Sequence, residues 1–412
     1  MMDKNLGEGL SAKCVIVPPL KCGNSEKNKK ENRVSKIINK PADEKYEFDM
    51  YYRELLLAKK IMNESKSHHS KEWGESRFAG IDDVCKFKKD KNNDRDLKSC
   101  GLETDKEYLI LFSNNAGCRI KQLEEGDIIS FKSTKKVLYQ GKIKKIVGDK
   151  LTIYVDELNE QLKINKKEVI NACGPLNDKP LILAFFSSLP DIKMRFRYMI
   201  ESMEFLNSVG VAHLDIKRDN IICDSNGVCR YIDFGASLIL FNDNTKYFDT
   251  LCASLKKPPI TKLFHEIKAG LLEKIAVHTP VYVAPEFELC TSIFIENMLT
   301  VDVVKQNIQK KCEIDITPEH EKIISDILRD EKSKIDFVLG MFCGDKNDLP
   351  DLMKCDVYSL GVSFQKIVKD SKIGENNNDD VDSLNDLVSK MINPDFKNRP
   401  SFKECLKHPF FK

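Results

Sequence analysis

Long hydrophobic runs are missing from this sequence of 412 residues. The longest purely apolar stretch is LILAFF, residues 181–186, whereas a helix that crosses a bilayer needs about 20 apolar residues. We therefore expect no membrane-spanning helix and no membrane partner. The hydrophobic content of 41% is still that of an ordinary globular protein, and the length allows two or three domains.

Metal-binding patterns of cysteine and histidine are also missing. The 14 cysteines include no CxxC pair and the 7 histidines form no HExxH motif, so we expect no structural zinc site. The first ten residues, MMDKNLGEGL, lack the basic and apolar regions of a secretory signal. We therefore expect an intracellular protein whose cysteines are thiols, and the cytoplasm, the nucleus and a virion are all compatible with the sequence.

A charge excess of either sign is the third absence. The chain has 66 Lys and Arg against 64 Asp and Glu, which gives no reason for the whole molecule to bind nucleic acid or an anionic surface. A local exception is residues 131–150, with seven Lys and one acid, Asp149. A solvated strand face is one interpretation of this stretch, and a site for nucleic acid or an acidic partner is the alternative.

Apolar residues recur with helical spacing in several places. Residues 47–61 predict one helix, and residues 196–206 predict another that ends near Gly210. Thr317 followed by Pro318 is typical of a helix start, with an N-cap and a proline at the first helical position. Residues 108–112 predict a buried strand, and residues 126–170, with short alternating segments, predict a small β-rich unit.

The stretch VAHLDIKRDNII, residues 211–222, places charged residues and an asparagine between two apolar runs, which favours a loop. Phosphoryl transfer needs a carboxylate beside the attacking hydroxyl, a cation and oxygen ligands for Mg²⁺. Asp215 is suited to accept the hydroxyl proton, Lys217 to neutralise charge on the phosphate and Asn220 to bind Mg²⁺. In YIDFG, Asp233 is the expected main metal ligand, and a strand-loop-strand hairpin would bring it to the same cleft as Asp215.

The motifs HLDIKRDN, DFG at residues 233–235, APE at residues 284–286 and DVYSLG at residues 356–361 occur in this order. Together they resemble the signature of eukaryotic-type protein kinases. The resemblance implies an α+β, bilobal kinase fold, with a small β-rich N-lobe and a mostly helical C-lobe. It also implies that ATP and Mg²⁺ are the cofactors, that Asp356 holds the catalytic-loop backbone, and that Arg399 pairs with Glu286.

The N-lobe carries a weaker form of the family pattern. GEGLSAKCV resembles the glycine-rich phosphate loop, with Gly7 and Gly9 present and Ala12 at the position of a third glycine. A surface turn is the alternative interpretation of this stretch.

Lys36, in RVSKII, is the expected lysine for the α and β phosphates, and a solvated lysine in a basic run is the alternative. Glu54 lies eighteen residues later on the predicted helix, where an ion pair with Lys36 would orient the lysine. Glu47 is a less well spaced alternative partner. Ser113 and Asn114 fall where the hinge of the family binds adenine through backbone groups.

The resemblance divides the chain into three parts. Residues 1–121 would form the N-lobe and hinge, residues 122–175 the inserted β-rich unit, and residues 176–412 the C-lobe. The insert weakly resembles an SH3-like or Tudor-like barrel. Forty-eight residues lie between DFG and APE, and Asp356 comes 70 positions after Glu286, so we expect an enlarged activation segment and an insertion after APE. Such additions are similar to those of divergent kinases of large DNA viruses.

The phosphate acceptor is expected to be a Ser or Thr hydroxyl of a protein substrate, because Lys217 and Thr279 resemble the serine/threonine version of the family. Choline and aminoglycoside kinases share the HxDxxxxN loop, which makes a small-molecule kinase one alternative; a pseudokinase that acts as a scaffold is another. Leu214 replaces the Arg that usually binds a phosphate on the activation segment. We therefore expect activity without phosphorylation of that segment. The oligomeric state stays open.

Overall fold

The structure is a computed structural model that describes much of the chain with gaps. The described residues are 4–7, 12–17, 33–41, 45–88, 107–114, 118–119, 125, 128–132, 138–147, 150–155, 158–165, 169–171, 186, 188–223, 227–240, 279–295, 300–343, 349–371, 373 and 379–412. They fall into two compact units. Unit 1 comprises Met1–Ser188 and Arg218–Gly235, and unit 2 comprises Leu189–Lys217 and Ala236–Lys412.

The first sheet of unit 1 is antiparallel, with its strands in the order β1-β2-β3-β5-β4. Its strands are β1 Lys4–Gly7, β2 Ala12–Val17, β3 Arg33–Pro41, β4 Asp83–Lys88 and β5 Glu107–Asn114. Helices α1 Lys45–His68 and α2 Lys71–Arg77 follow β3. Leu55 of α1 packs with Ile38, Leu109 and Leu111 of the sheet. The helix predicted over residues 47–61 is therefore confirmed, and its apolar face covers the sheet.

The predicted β-rich unit is a separate antiparallel sheet with the order β10-β9-β8-β7-β11. Its strands are β7 Ile128–Lys132, β8 Leu138–Val147, β9 Lys150–Val155, β10 Glu160–Asn165 and β11 Val169–Asn171. Leu151, Ile153 and Val155 alternate along β9 and are fully buried, as expected for strands with one buried face.

A small third sheet of unit 1 has the order β14-β13-β6, with β6 Cys118–Arg119, β13 Ile221–Cys223 and β14 Cys229–Tyr231. β13 and β14 are the expected hairpin between the catalytic-loop motif and DFG. Cys223 lies directly opposite Cys229 and is joined to it by a disulfide bond. The expectation that the cysteines are thiols is thus wrong at this pair, because the ladder register places both side chains at adjacent positions.

Unit 2 is mainly helical around a buried central helix. Its helices are α3 Leu189–Ser208, α4 Pro285–Ile295, α5 Val301–Cys312, α6 Pro318–Leu328, α7 Glu331–Phe342, α8 Leu352–Ser371, α9 Asp379–Met391 and α10 Phe402–Cys405. Phe196 of α3 stacks on Phe364 of α8, with ring centroids 3.6 Å apart. β12 Val211–Ala212 and β15 Leu238–Ile239 pair beside this core.

The sequence signals for the helices of unit 2 are confirmed. α3 contains the stripe predicted at residues 196–206. The Thr317 hydroxyl caps α6 by accepting the N–H of His320 at 3.3 Å, and Pro318 is the first helical residue. The two units together are α+β, as expected. In the described ranges, no helix has the length and apolar character of a membrane span.

A buried ion pair connects α4 to the loop before α10. The Arg399 guanidinium donates to both carboxylate oxygens of Glu286, to the second at 3.0 Å, and also to the carbonyls of Lys354 and Asn393. Neither Glu286 nor Arg399 is more than 3% exposed. The pairing predicted from the motifs is confirmed.

Arg399→Met should destabilise unit 2, because it leaves the buried Glu286 carboxylate without its cation. We expect a loss of about 3–5 kcal/mol in the free energy of unfolding, measured by urea denaturation. Arg329→Met, at an arginine whose side chain is 67% exposed, is the matched control. Equal urea midpoints for the two variants would contradict this role of the ion pair.

Candidate active site

Asp356, on α8, holds the loop that follows β12 through hydrogen bonds to its backbone. The fully buried Asp356 carboxylate accepts the backbone N–H of His213 at 2.6 Å and that of Leu214 at 2.8 Å. Leu214 has a φ of 63°, a left-handed conformation that branched side chains rarely adopt. The expected contact of Asp356 with the loop backbone is confirmed, and it stabilises a conformation that the loop sequence alone disfavours.

Burial raises the pKa of Asp356 to about 7, and the two backbone N–H groups of His213 and Leu214 oppose that rise. A buried carboxylate is costly unless hydrogen bonds replace its water. The backbone N–H groups of His213 and Leu214 therefore stabilise the buried Asp356 carboxylate, and the same two hydrogen bonds hold the loop.

Asp215, Lys217 and Thr279 form one hydrogen-bonded group in unit 2. The Thr279 hydroxyl donates to Asp215 Oδ1 at 2.8 Å, and Lys217 Nζ donates to Asp215 Oδ2 and to Thr279 Oγ1, both at 2.8 Å. The side chains of Asp215 and Lys217 are 14% and 20% exposed. In this group a carboxylate and a cation both contact one hydroxyl group, and that hydroxyl belongs to Thr279.

Asn220 and Asp233 lie at the same end of the β13-β14 hairpin in unit 1. The backbone N–H of Ile232 donates to the Asn220 carbonyl at 3.0 Å, which closes the hairpin. Asp233 has a φ of 62°, and the following Phe234 packs edge-on against Phe78, with ring centroids 6.4 Å apart. The chain is thus held before Asp233 by the hairpin and after it by the contact of Phe234 with Phe78.

Lys36 and Glu54 lie in the same unit, near Asp233. Lys36 Nζ is 3.4 Å from Asp233 Oδ1. Burial raises the pKa of Glu54 to about 7; the Lys36 charge lowers it, the Asp233 charge raises it, and a hydrogen bond from the Phe234 backbone lowers it. The sequence predicted an ion pair of Lys36 with Glu54. The structure gives Lys36 an ion pair with Asp233, and the Lys36 charge also acts on Glu54. The Lys36 side chain is only 21% exposed, which argues against the alternative that Lys36 is a solvated lysine.

The donor chemistry of Asn220 and Asp233 in unit 1 fits Mg²⁺. Asp233 offers a carboxylate that is 35% exposed, and Asn220 offers an amide oxygen. Mg²⁺ prefers such hard oxygen ligands and takes only one or two carboxylates from a protein, with phosphates and water completing its shell. These two residues could therefore hold Mg²⁺.

The remaining predicted binding residues are less completely described. Gly7 ends β1 and Ala12 begins β2, and these strands pair; Gly9 lies outside the described residues. Ser113 and Asn114 are the last residues of β5, opposite Val34 and Arg33. The strand predicted over residues 108–112 is therefore longer than predicted and ends at Asn114, because pairing with β3 continues for two more residues. Glu47 lies in α1, and its side chain is outside the described part of the structure.

Some residues near Asp215 were missed by the sequence reasoning. Ser359 Oγ donates to the Tyr282 carbonyl at 2.7 Å, and the backbone N–H of Val281 donates to the Lys311 carbonyl at 2.6 Å. Ser359 lies within the DVYSLG motif, which is a signal that could have found it. Lys311 has no local sequence signal, because its contact depends on where α5 packs.

The site region is similar to known kinases. Residues 179–289, about a quarter of the chain, match the family model described as the protein kinase domain. Over 99 residues the chain is 32% identical to the MAP kinase kinase kinase SSK2 of Saccharomyces cerevisiae, covering 21% of this chain and 6% of that protein. Over 96 residues it is 35% identical to the probable serine/threonine protein kinase IRE4 of Arabidopsis thaliana, covering 23% of this chain and 9% of that protein.

These matches support a relationship of this chain to the eukaryotic-type protein kinase superfamily. The chain spans less than a tenth of the length of the two relatives. The matched residues 179–289 include the kinase motifs around Asp215, Asn220, Asp233 and Glu286. Lys36, Glu54, Asp356 and Arg399 lie outside the match, so the placing of these residues rests on the structure.

Asp356→Asn should weaken the loop of His213 and Leu214 in a way that depends on pH. The raised pKa means that folded protein keeps the Asp356 proton to about pH 7, whereas an unfolded Asp releases it near pH 3.9. The contribution of this carboxyl to stability is therefore full at low pH and falls as pH rises between these values. Asn has no such proton and offers one acceptor for two N–H groups.

We therefore expect Asp356→Asn to melt below wild type, with a difference that is largest near pH 5 and smaller near pH 8. Melting temperatures across this range would measure it, with Asp336→Asn, at an exposed carboxylate, as the control. A difference that grows with pH would contradict the assignment.

Proposed function

We propose that the chain is an ATP- and Mg²⁺-dependent protein kinase that transfers the γ-phosphoryl group to Ser or Thr hydroxyls of protein substrates. The observation that carries this proposal is the group of Asp215, Lys217 and Thr279. Its threonine hydroxyl donates to the carboxylate that would accept the proton of a substrate hydroxyl. The kinase-type matches to serine/threonine enzymes support the same activity.

In the proposed mechanism, Asp215 accepts the proton of the attacking hydroxyl as the oxygen approaches the phosphorus atom. Lys217, 3.1 Å and 2.8 Å from the two Asp215 oxygens, neutralises charge that develops on the transferred group. Lys36 would bind the α and β phosphates, and Asn220 and Asp233 would hold Mg²⁺, which supplies electrostatic stabilisation of the phosphates. Positioning and fixed charges contribute most of the rate acceleration in such reactions.

We further infer that unit 1 contains the N-lobe and its β-rich insert, and that unit 2 contains most of the C-lobe. Residues 218–235 of the proposed C-lobe, with the β13-β14 hairpin, group with unit 1. The five-stranded sheet of unit 1 with helix α1 supports the first assignment, and the helices around α8 support the second. Residues 1–121, 122–175 and 176–412 remain the proposed domain boundaries. The likeness of the insert to an SH3-like or Tudor-like barrel, its binding of nucleic acid or an acidic partner, and the likeness to viral kinases stay predictions.

A small-molecule kinase accounts for less of the structure. It needs the loop of Asp215 and Asn220, but it gives no reason for Thr279 beside Asp215 or for the buried pair of Glu286 and Arg399. A pseudokinase scaffold likewise has no physical need to keep Lys36 beside Asp233. Both alternatives are outcomes of the following experiment.

Asp215→Asn should remove turnover and keep nucleotide binding, because the amide cannot accept the hydroxyl proton. We expect a loss of roughly 10²–10⁴-fold in transfer of radiolabelled γ-phosphate to a generic basic protein. Asp233→Asn should also weaken the Mg²⁺-dependent rise in melting temperature with ATP, which Asp215→Asn should retain. Asp219→Asn, a neighbouring acid outside the proposed roles, is the control.

Equal activity of wild type and Asp215→Asn would refute the role of Asp215. If wild type transfers no phosphate and ATP with Mg²⁺ does not raise its melting temperature, the scaffold alternative is favoured. Transfer to choline or an aminoglycoside but not to protein would favour the small-molecule alternative.

Phosphatase treatment should leave the activity nearly unchanged. Leu214, buried and in a left-handed conformation, stands where the family has the Arg that binds an activation-segment phosphate. We expect the rate of γ-phosphate transfer after treatment to stay within about twofold of mock-treated protein, because Leu214 offers no cation that such a phosphate could bind. A loss of activity that returns on rephosphorylation would contradict this expectation.

A further inference from the structure

Val281, two residues after Thr279, has a backbone conformation that needs outside support. Its φ is 74°, and β-branched residues rarely adopt the left-handed region. Such conformations persist where surrounding contacts hold them, and they concentrate at functional sites. The path of the chain at Val281 determines where the Thr279 hydroxyl points, and that hydroxyl donates to Asp215 at 2.8 Å.

The contact at Val281 comes from α5, in the insertion between the APE motif and Asp356. The Val281 N–H donates to the Lys311 carbonyl at 2.6 Å. Lys311 lies in the last turn of α5, where carbonyls have no partner within the helix. The helix ends directly after this turn, since Glu313 has a φ of 54° and donates its N–H to the Gln309 carbonyl. The Val281 N–H thus gains an acceptor, and the Lys311 carbonyl gains a donor that its own helix does not supply.

The Lys311 side chain fixes α5 in this position. Lys311 Nζ donates to Glu288 Oε1 at 2.7 Å, and the Glu288 side chain is 1% exposed whereas that of Lys311 is 39% exposed. Glu288 lies on α4, in the turn that contains the APE motif. Val304 and Ile308 of α5 are buried in the core of unit 2. One residue therefore joins α4 through its side chain and the Thr279 segment through its carbonyl.

We propose that Lys311 is a positioning residue, through which α5 holds the Thr279 segment in register with Asp215. The inference rests on the proposed function and adds how the acceptor site is organised. In this arrangement the partly buried ion pair of Lys311 and Glu288 has the role that a phosphate on the activation segment has elsewhere in the family, in agreement with Leu214 at the phosphate-binding position. Ser359 holds the other side of the segment through the Tyr282 carbonyl.

The test compares Lys311→Met, which keeps the apolar stem and removes the charge, with Lys311→Arg, which restores it. Lys310→Met is the matched control, because Lys310 is the exposed neighbour in the same helical turn. The kcat and KM for phosphate transfer to a generic basic protein and the KM for ATP are measured separately. Hydrogen exchange of a peptide that contains residues 279–283 reports the Val281 amide without relying on activity.

For Lys311→Met we expect kcat to fall roughly tenfold or more, because small misplacements at a reacting group are costly, with the KM for ATP unchanged. The 279–283 peptide should exchange faster. Lys311→Arg should recover most of both properties, and Lys310→Met should match wild type. If Lys311→Met does not fold, Glu288→Gln, which weakens the same contact with nearly the same shape, replaces it and should show the same changes to a smaller degree.

The proposal is overturned if Lys311→Met keeps the kcat and the exchange rate of Lys310→Met. It is also overturned if the KM for ATP and the global melting temperature change while the 279–283 peptide stays protected, because that pattern indicates a structural role alone. A wild-type protein without transferase activity would refute the proposed function. In that case the exchange data alone would decide whether Lys311 holds Val281.

Discussion

The contact between the Asp356 carboxylate and the backbone of His213 and Leu214 is the interaction on which the candidate site in unit 2 depends. Leu214 has a left-handed conformation, and the residue that follows it is Asp215. Two N–H groups aimed at one buried carboxylate over-determine this short stretch. Because α8 carries Asp356 and packs against α3 through Phe364, the core of unit 2 sets the position of the proposed base.

The same helix and its neighbours also hold the segment that faces Asp215. Ser359 contacts the Tyr282 carbonyl, and α4 carries Glu286 for the buried pair with Arg399. Charged groups in this core are paired and hydrogen-bonded, which makes each pair costly to break and the arrangement unique. In unit 1, the hairpin that ends at Asp233 likewise positions a charged group, because it places the Asp233 carboxylate beside Lys36.

Several features could be predicted from sequence because their signals are local. The helix over residues 47–61, the hairpin before Asp233 and the capped start at Thr317 each follow from spacing or a capping residue, and the structure contains all three. The buried pair of Glu286 and Arg399 followed from motif resemblance. The Cys223–Cys229 bond was missed because it depends on ladder register. The contact of Val281 with Lys311 was missed because the two residues are 30 positions apart and meet only through the packing of α5.

The sequence by itself determined which chemical groups are available: the loop carboxylate of Asp215, the amide of Asn220, the Asp233 carboxylate and the lysine at position 36. It determined these because motifs record residue types at short spacing, and short spacing fixes local geometry. Tertiary structure alone decided that Leu214 takes a left-handed conformation and that Lys311 joins α4 to the Thr279 segment. Such contacts arise when distant helices pack, and packing depends on the volume and shape of the whole core.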